Sequence, residues 1–189
     1  RQNQELTDLV QALGCGTGSS YKSDQLRYEK VVIMTDADVD GAHIASLLMT
    51  FFYREMPKLI EDGHLFLAMP PLYRLTQGGK TVYARDDAHK DELLAGGFGG
   101  KGKVEISRFK GLGEMPPMQL KETTMNRATR QMLRVKIPPA GGPELMVEPE
   151  LEAETRRTRE TVETLMGKKP ELRFAFIQEN ARFVLDVDV

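Results

Sequence analysis

Among its 189 residues the chain has a single cysteine, Cys15. An internal disulfide is therefore impossible, and such a chain fits a reducing compartment. Cys15 stands in the turn LGCGTG, where a small packed side chain is expected; nothing beside it announces the activating environment that a reactive thiol needs. Long apolar runs are missing too. None approaches the ~20 residues of a membrane span, and residues 1–30 lack the profile of a signal peptide. Nor is there an excess of charge of one sign. The 26 Lys and Arg are set against 28 Asp and Glu, a formal −2, so no global basic excess points to nucleic acid, although basic residues can still gather on one face. The first residue is Arg rather than Met, and the chain opens inside QNQELTDLVQALG, already helical in pattern, as expected of a piece cut from a longer protein.

The length suits one medium domain, or a domain with a tail, and can bury a real core. Leu6, Leu9, Val10 and Leu13 recur at helical spacing, and Gly14 stops the helix they predict over 4–13. Residues 14–25 read as a loop. KVVIM is a short buried strand without the alternation of a one-sided one. Behind Gly41 a single long amphipathic helix is expected, with Ile44, Leu47, Leu48, Phe51, Phe52, Met56, Leu59 and Ile60 on its inner stripe and Gly63 as its C-terminal cap. HLFLAM makes a second strand, broken by Pro70 and Pro71. Strand, helix and strand of these lengths form a βαβ crossover, so the sheet is at least partly parallel.

After residue 76 the pattern changes. QGGKTVYARDD reads as a short hairpin or edge strand, AGGFGGKGK as a loop, and VEISRF as another strand. KGLGEMPPMQLKETTM is a glycine loop feeding a short helix, and IPPAGGPE a break. A charged helix is expected over 149–166, and a last helix over 170–183 with Leu172, Phe176, Ile177 and Phe183 inward. The layout is a three-layer α/β portion followed by an α-rich tail. Methionines are expected as core filler and partner-facing surface.

The chemistry is concentrated in VVIMTDADVDG, residues 31–41, where an apolar strand runs into Asp36, Asp38 and Asp40 at alternate positions. In an extended segment alternate side chains project together, here from the carboxyl end of a strand, where open α/β sheets put their ligands. Three carboxylates so placed repel unless a cation sits among them, and a hard divalent ion is the natural occupant. The bland alternative is a solvated turn capping the helix that follows. A calcium-binding EF-hand is excluded, because loop position 12 is Leu47 and the flank before the loop is a strand. An aspartate-nucleophile phosphatase, with Asp36 attacking phosphorus and Asp38 as acid, needs a late acidic pair behind an apolar strand; ARDD at 84–87 follows a Gly-Gly turn and a polar strand instead. A metal-free interaction module is a third reading.

Longer stretches add to this. LRYEKVVIMTDADVDGAHIASLLMTFFYREMPKLIEDGHLFLAMPPLYRL closely resembles the Toprim domain of the type IIA topoisomerases, as in the B subunits of bacterial gyrase and topoisomerase IV. SRFKGLGEMPPMQLKETTM resembles the signature those proteins carry further on, in wording that leans toward topoisomerase IV, and FIQENARFVLDVDV resembles their C-terminal end. The matches cover almost the whole chain, in the family's order.

The resemblance implies a Rossmann-like Toprim portion over 1–77, a connecting hairpin and loop over 78–103, and the B-subunit carboxyl-terminal region with its tail over 104–189. It implies magnesium held by Asp36 and Asp38, with Asp40 supporting the site or a second ion, beside a scissile phosphate of duplex DNA. His43, at the start of the long helix, is implied to meet DNA, in keeping with the attraction of helix N-termini for phosphate. Lys110 and, in the tail, Arg173 match basic positions near DNA, with solvated charge as the alternative; in RFKGLGEM the glycines let backbone approach closely. His64 and His89 are assigned nothing. No catalytic residue is assigned within this chain. The family's general acid/base is a glutamate expected upstream of residue 1, and its nucleophile is a tyrosine of the A subunit, the partner in an A2B2 heterotetramer. ATP binding belongs to a region further upstream, so the chain alone is expected to bind no ATP and cleave no DNA. A cytoplasmic, nucleoid-associated, membrane-free location follows from the same resemblance.

Overall fold

A computed structural model describes residues 3–36, 38–96, 98, 102–138 and 149–181. Phe183, and parts of the glycine loop before residue 104 and of the break after Ile137, lie outside the described residues. The chain divides into two compact units, one formed by Arg1–Val31, Ser46–Leu65 and Val135–Val189, the other by Val32–Ala45 and Phe66–Arg134. Two three-stranded sheets are present. In the first, β1 (Val31–Ile33), β2 (Leu65–Ala68) and β6 (Met132–Arg134) lie in the order β1-β2-β6. This sheet is partly parallel, since β1 and β2 are neighbours joined through a helical crossover while β2 and β6 run antiparallel, with Leu67 opposite Leu133. The chain is a mixed α/β fold with a helical C-terminal region. Among the described residues no helix is long and apolar enough to cross a membrane.

In the first unit, helix α1 (Gln4–Leu13) starts on Asn3, whose side chain accepts the N–H groups of Glu5 and Leu6, and stops at Gly14 in the left-handed region at φ 74°. The 14–25 loop contains two single 3-10 turns, and Lys22 N–H closes back on the Cys15 carbonyl. Cys15 is fully buried, and burial pushes its thiol pKa upward, as a packing residue requires. The expected single long helix is two: α2 (Val39–Glu55) and α3 (Pro57–Glu61). Met56, at φ −141° and ψ 52°, breaks the helical path one residue before Pro57, which has no N–H and disfavours helix in the residue before it. Phe52, Met56, Leu59 and Ile60 are buried, but Ile44 and Leu47 are half exposed, so the inner stripe is shorter than its sequence pattern. Gly63 caps α3 as expected. At φ 83° it donates to Ile60 while His64 donates to Leu59, the paired bonds of a Schellman motif.

The charged helix α6 spans Pro149–Met166, as expected, and its Glu163 pairs with Arg54 at 3.0 Å. Helix α7 covers Pro170–Asn180. Its Leu172, Phe176 and Ile177 are exposed, contrary to the inward face expected of them, and Phe174 is exposed as well. Leu172 and Phe176 are four residues apart on one side of the helix, and Phe174 and Ile177, three apart, lie on another, so no single face gathers all four.

In the second unit, β3 (Tyr73–Gln77) is the central strand of the second sheet, paired antiparallel with β4 (Lys80–Ala84) and β5 (Glu105–Arg108). Tyr73 and Leu75 alternate inward with Ala84 and Phe98 to form its core. The β3–β4 hairpin turns on Gly78 and Gly79, at φ 54° and 80°, the two positive values that a tight two-residue turn needs. Helix α4 (Asp87–Ala95) follows, within the stretch 78–103 expected to be a connecting hairpin and loop. Beyond β5 a 3-10 turn over Leu112–Glu114 leads into α5 (Pro117–Leu120), which continues as a π-helical turn over Lys121–Met125.

Candidate metal centre

The aspartate run lies in the second unit, between β1 and α2. Its alternation does not stay extended. Asp36 lies three residues beyond the end of β1, and Val39 and Asp40 already belong to α2, so the three carboxylates do not project as one row. Asp38 instead caps the helix. Its Oδ1 accepts the N–H of Gly41 at 2.7 Å while its carbonyl accepts the first helical bond, from Ala42 at 3.0 Å. Among the described residues no group of three or more His, Cys, Asp and Glu side chains gathers as a cation cage. Gly41 explains itself by contact. A Cβ there would run into the Asp36 carbonyl oxygen and lie 2.7 Å from its carbon and 2.9 Å from the Asp36 nitrogen. Only a residue without a side chain lets the first turn of the helix lie this close to the Asp36 backbone.

The second feature sits at Asp36. Its Oδ1 accepts the N–H of Leu112 at 2.7 Å, across 76 residues of sequence. Gly111 packs against the same carboxyl group, where an added Cβ would stand 3.0–3.1 Å from Cγ and both oxygens. The RFKGLGEM loop and the aspartate run therefore meet. Sequence reasoning gave those glycines a close backbone approach but missed that the group approached is Asp36 itself; the spacing of apolar residues carries no sign of such a contact. Phe109 and Met115, buried at either end, anchor the loop. Between them the Lys110 N–H donates to Glu114 Oε2 at 2.8 Å.

Asp36, Asp38, Asp40, His43 and Lys110 are all exposed residues of this second unit. His43 lies three residues after Asp40 on α2, in the turn that follows the Asp38 cap. Arg173 belongs to the first unit, and its guanidinium closes the end of α6: Nε donates to the Leu165 carbonyl at 2.6 Å and Nη2 to the Gly167 carbonyl at 3.2 Å. The acidic pair of ARDD is engaged in building α4. Asp86 caps it through His89 N–H, and Asp87 holds Tyr73 and Lys90. That pair is consequently not the free acid that a phosphatase reading requires.

The donor set suits a hard, water-retaining cation. Asp36 and Asp38 each use Oδ1 for one backbone N–H, and a carboxylate offers about four lone-pair positions, so each retains acceptor capacity. Magnesium is commonly held through one or two carboxylates with several waters, so a magnesium site here does not need a third carboxylate.

Residues 5–70 match the Toprim domain family, and residues 101–178 match the family described as DNA gyrase B subunit, carboxyl terminus. The B subunit of DNA topoisomerase 4 from Bartonella bacilliformis is 59% identical over 99% of this chain and 25% of that protein. The one from Caulobacter vibrioides is 60% identical, with the same shares covered. This chain belongs to the type IIA topoisomerase B-subunit family. It spans about a quarter of the length of those curated relatives. The B subunit of DNA gyrase from Metamycoplasma hominis is 45% identical over 99% of the chain and 26% of that protein, so this B-subunit segment is shared between both named types. The two family matches fall on the two features that meet at Asp36: the aspartates in the Toprim match, the glycine loop in the carboxyl-terminal one.

Proposed function

We propose that this chain is the magnesium-binding Toprim part, with the adjoining carboxyl-terminal region, of an ATP-dependent type IIA topoisomerase of the topoisomerase IV kind. With an A subunit, in an A2B2 assembly acting in the cytoplasm on the nucleoid, it would cleave, pass and religate duplex DNA. The observation that carries this reading is the junction at Asp36, where an exposed carboxylate of the aspartate run meets the glycine loop in a chain of B-subunit sequence.

Asp36 and Asp38 are the residues to hold the ion, and Asp40, in the first turn of α2, adds negative charge beside them. A bound magnesium ion supplies Lewis-acid stabilisation of phosphate and leaving 3′ oxygens, the chief need of phosphoryl transfer. His43, near the positive end of α2, and the exposed Lys110 are disposed to receive DNA phosphates. Arg173 is a third basic candidate, with its capping bonds already made. The family's general acid/base glutamate and nucleophilic tyrosine match no position here, so this stretch binds and orients while other parts of the assembly supply the attacking and proton-moving groups.

The test is Asp36→Asn in the full-length subunit assembled with its A subunit. DNA cleavage is expected to be abolished and ATP turnover largely retained, because a metal ligand is lost while the ATP site lies elsewhere. Cleavage at wild-type level in ordinary magnesium would remove Asp36 from the metal site.

A further inference from the structure

We propose that the Phe109–Met115 loop is a positioning device for the Asp36 carboxylate, with the Leu112 N–H as its working group and Gly111 as the residue that lets it approach. The inference rests on the reading of Asp36 as a metal ligand. An exposed carboxylate in the loop after a strand can turn about its side-chain bonds, and binding a small octahedral ion requires that rotation to be fixed. Here one oxygen is fixed by a 2.7 Å bond from a backbone donor, which cannot rotate away as a side-chain donor can. The donor is itself held. Glu114 N–H returns to the Gly111 carbonyl and Met115 N–H to the Leu112 carbonyl, both at 3.2 Å, while the Glu114 side chain takes the Lys110 N–H. Phe109 and Met115 sink the two ends of the loop into buried positions, and Phe109 N–H ties it to the Leu72 carbonyl. Gly111 faces the carboxyl group at a distance that leaves no room for a methyl group unless the carboxylate moves. Glycine is thus favoured by the approach rather than by its backbone angles, which are extended at φ −160° and ψ 171°.

Those angles permit a clean deletion of the donor. Leu112 opens a 3-10 turn, a first position that proline tolerates, and Gly111 before it already has the extended conformation that a residue preceding proline prefers. Leu112→Pro therefore removes the N–H with the loop path retained, and Leu112→Ala removes the side chain but keeps the N–H. The experiment titrates the full-length subunit, without DNA or nucleotide, with Mn²⁺ as a paramagnetic stand-in, and follows the Asp36-dependent component of binding by electron paramagnetic resonance. Leu112→Pro is expected to weaken that component about 10-fold or more, the scale of lost outer-sphere support, and Leu112→Ala to bind as wild type does. Gly111→Ala, which pushes on the carboxylate and leaves the N–H in place, is expected to weaken it as well, and it decides the matter if Leu112→Pro proves unfolded by circular dichroism. Wild-type Mn²⁺ affinity in the folded Leu112→Pro and Gly111→Ala variants, with loss only in Asp36→Asn, overturns the positioning role and leaves the metal reading standing. Unchanged binding in Asp36→Asn itself overturns both.

Discussion

Asp87 is held by two donors at once. Tyr73 Oη and Lys90 Nζ each reach its Oδ1 at 2.8 Å, and the Lys90 ammonium lies 4.8 Å from the centre of the Tyr73 ring. Both contacts favour the charged carboxylate. The Lys90 hydrogen bond, followed by the one from Tyr73, lowers the Asp87 pKa from its ordinary 3.8. A carboxyl group with a depressed folded pKa contributes stability that is complete above its unfolded value and is lost as pH falls through the folded one. Each donor's own bond to Asp87 raises its pKa, that of Tyr73 above 10.0 and that of Lys90 above 10.5, so their shares are complete below those ordinary values and drain as pH rises through the raised ones. Thermal melts across pH check this. Asp87→Asn is expected to melt below wild type at neutral pH, with the gap starting to close as pH falls past the ordinary 3.8 and closed only below the depressed folded value, where the wild-type carboxylate is itself protonated. A gap that stays constant to pH 2 would show that the triad does not titrate with folding.

The elements that could be read in the sequence are those with a local signal strong enough to act alone. Asn3 and Gly14 bracket α1, Gly78 and Gly79 turn the hairpin, and α6 begins and ends where its charged run does. Helix α4 escapes such a reading because its two leucines are adjacent and make no stripe, leaving the Asp86 cap as its only mark. The helix behind Gly41 reads too long because an unbroken apolar stripe outweighs Pro57, whose effect on Met56 is local and steric. Arg173 is legible as a cation but not as a cap, since its partners are carbonyls, and every residue has one. That geometry makes a prediction about α6. Arg173→Ala in the full-length subunit is expected to lower unfolding stability by about 1 kcal/mol without DNA present, through two lost hydrogen bonds at an exposed helix end. Denaturant titration reads this directly, and unchanged stability would mean that water replaces the guanidinium at no cost. A change in the salt dependence of DNA binding, measured on the same variant, reports any phosphate contact separately.

For the whole molecule the decisive contact is the one that no local pattern encodes. The aspartate run and the glycine loop each stand out in the sequence, yet only the folded chain brings Leu112 to Asp36, in a unit assembled from residues 32–45 and 66–134. The alternation of Asp36, Asp38 and Asp40 invites a row of three carboxylates; helix propagation from the Asp38 cap carries Asp40 out of the row. What remains is two carboxylates, with a basic residue, Lys110, next to the glycine that touches one of them. Lys110 is anchored through its backbone to Glu114 while its side chain is exposed, so its position is set without engaging its charge. If that ammonium meets a DNA phosphate, Lys110→Ala should weaken binding of duplex by the assembled enzyme about equally for all sequences, because phosphates carry no base identity. One lost phosphate contact should also reduce the magnitude of the slope of log K against log salt by roughly 0.9, the signature of one fewer released counterion. A residue reading a base edge would instead shift preference at one position by ~1–3 kcal/mol. Titrations at several salt concentrations with two unrelated duplexes separate these outcomes, and a variant matching wild type in both affinity and slope would make Lys110 a solvated charge on a loop whose function is confined to Asp36.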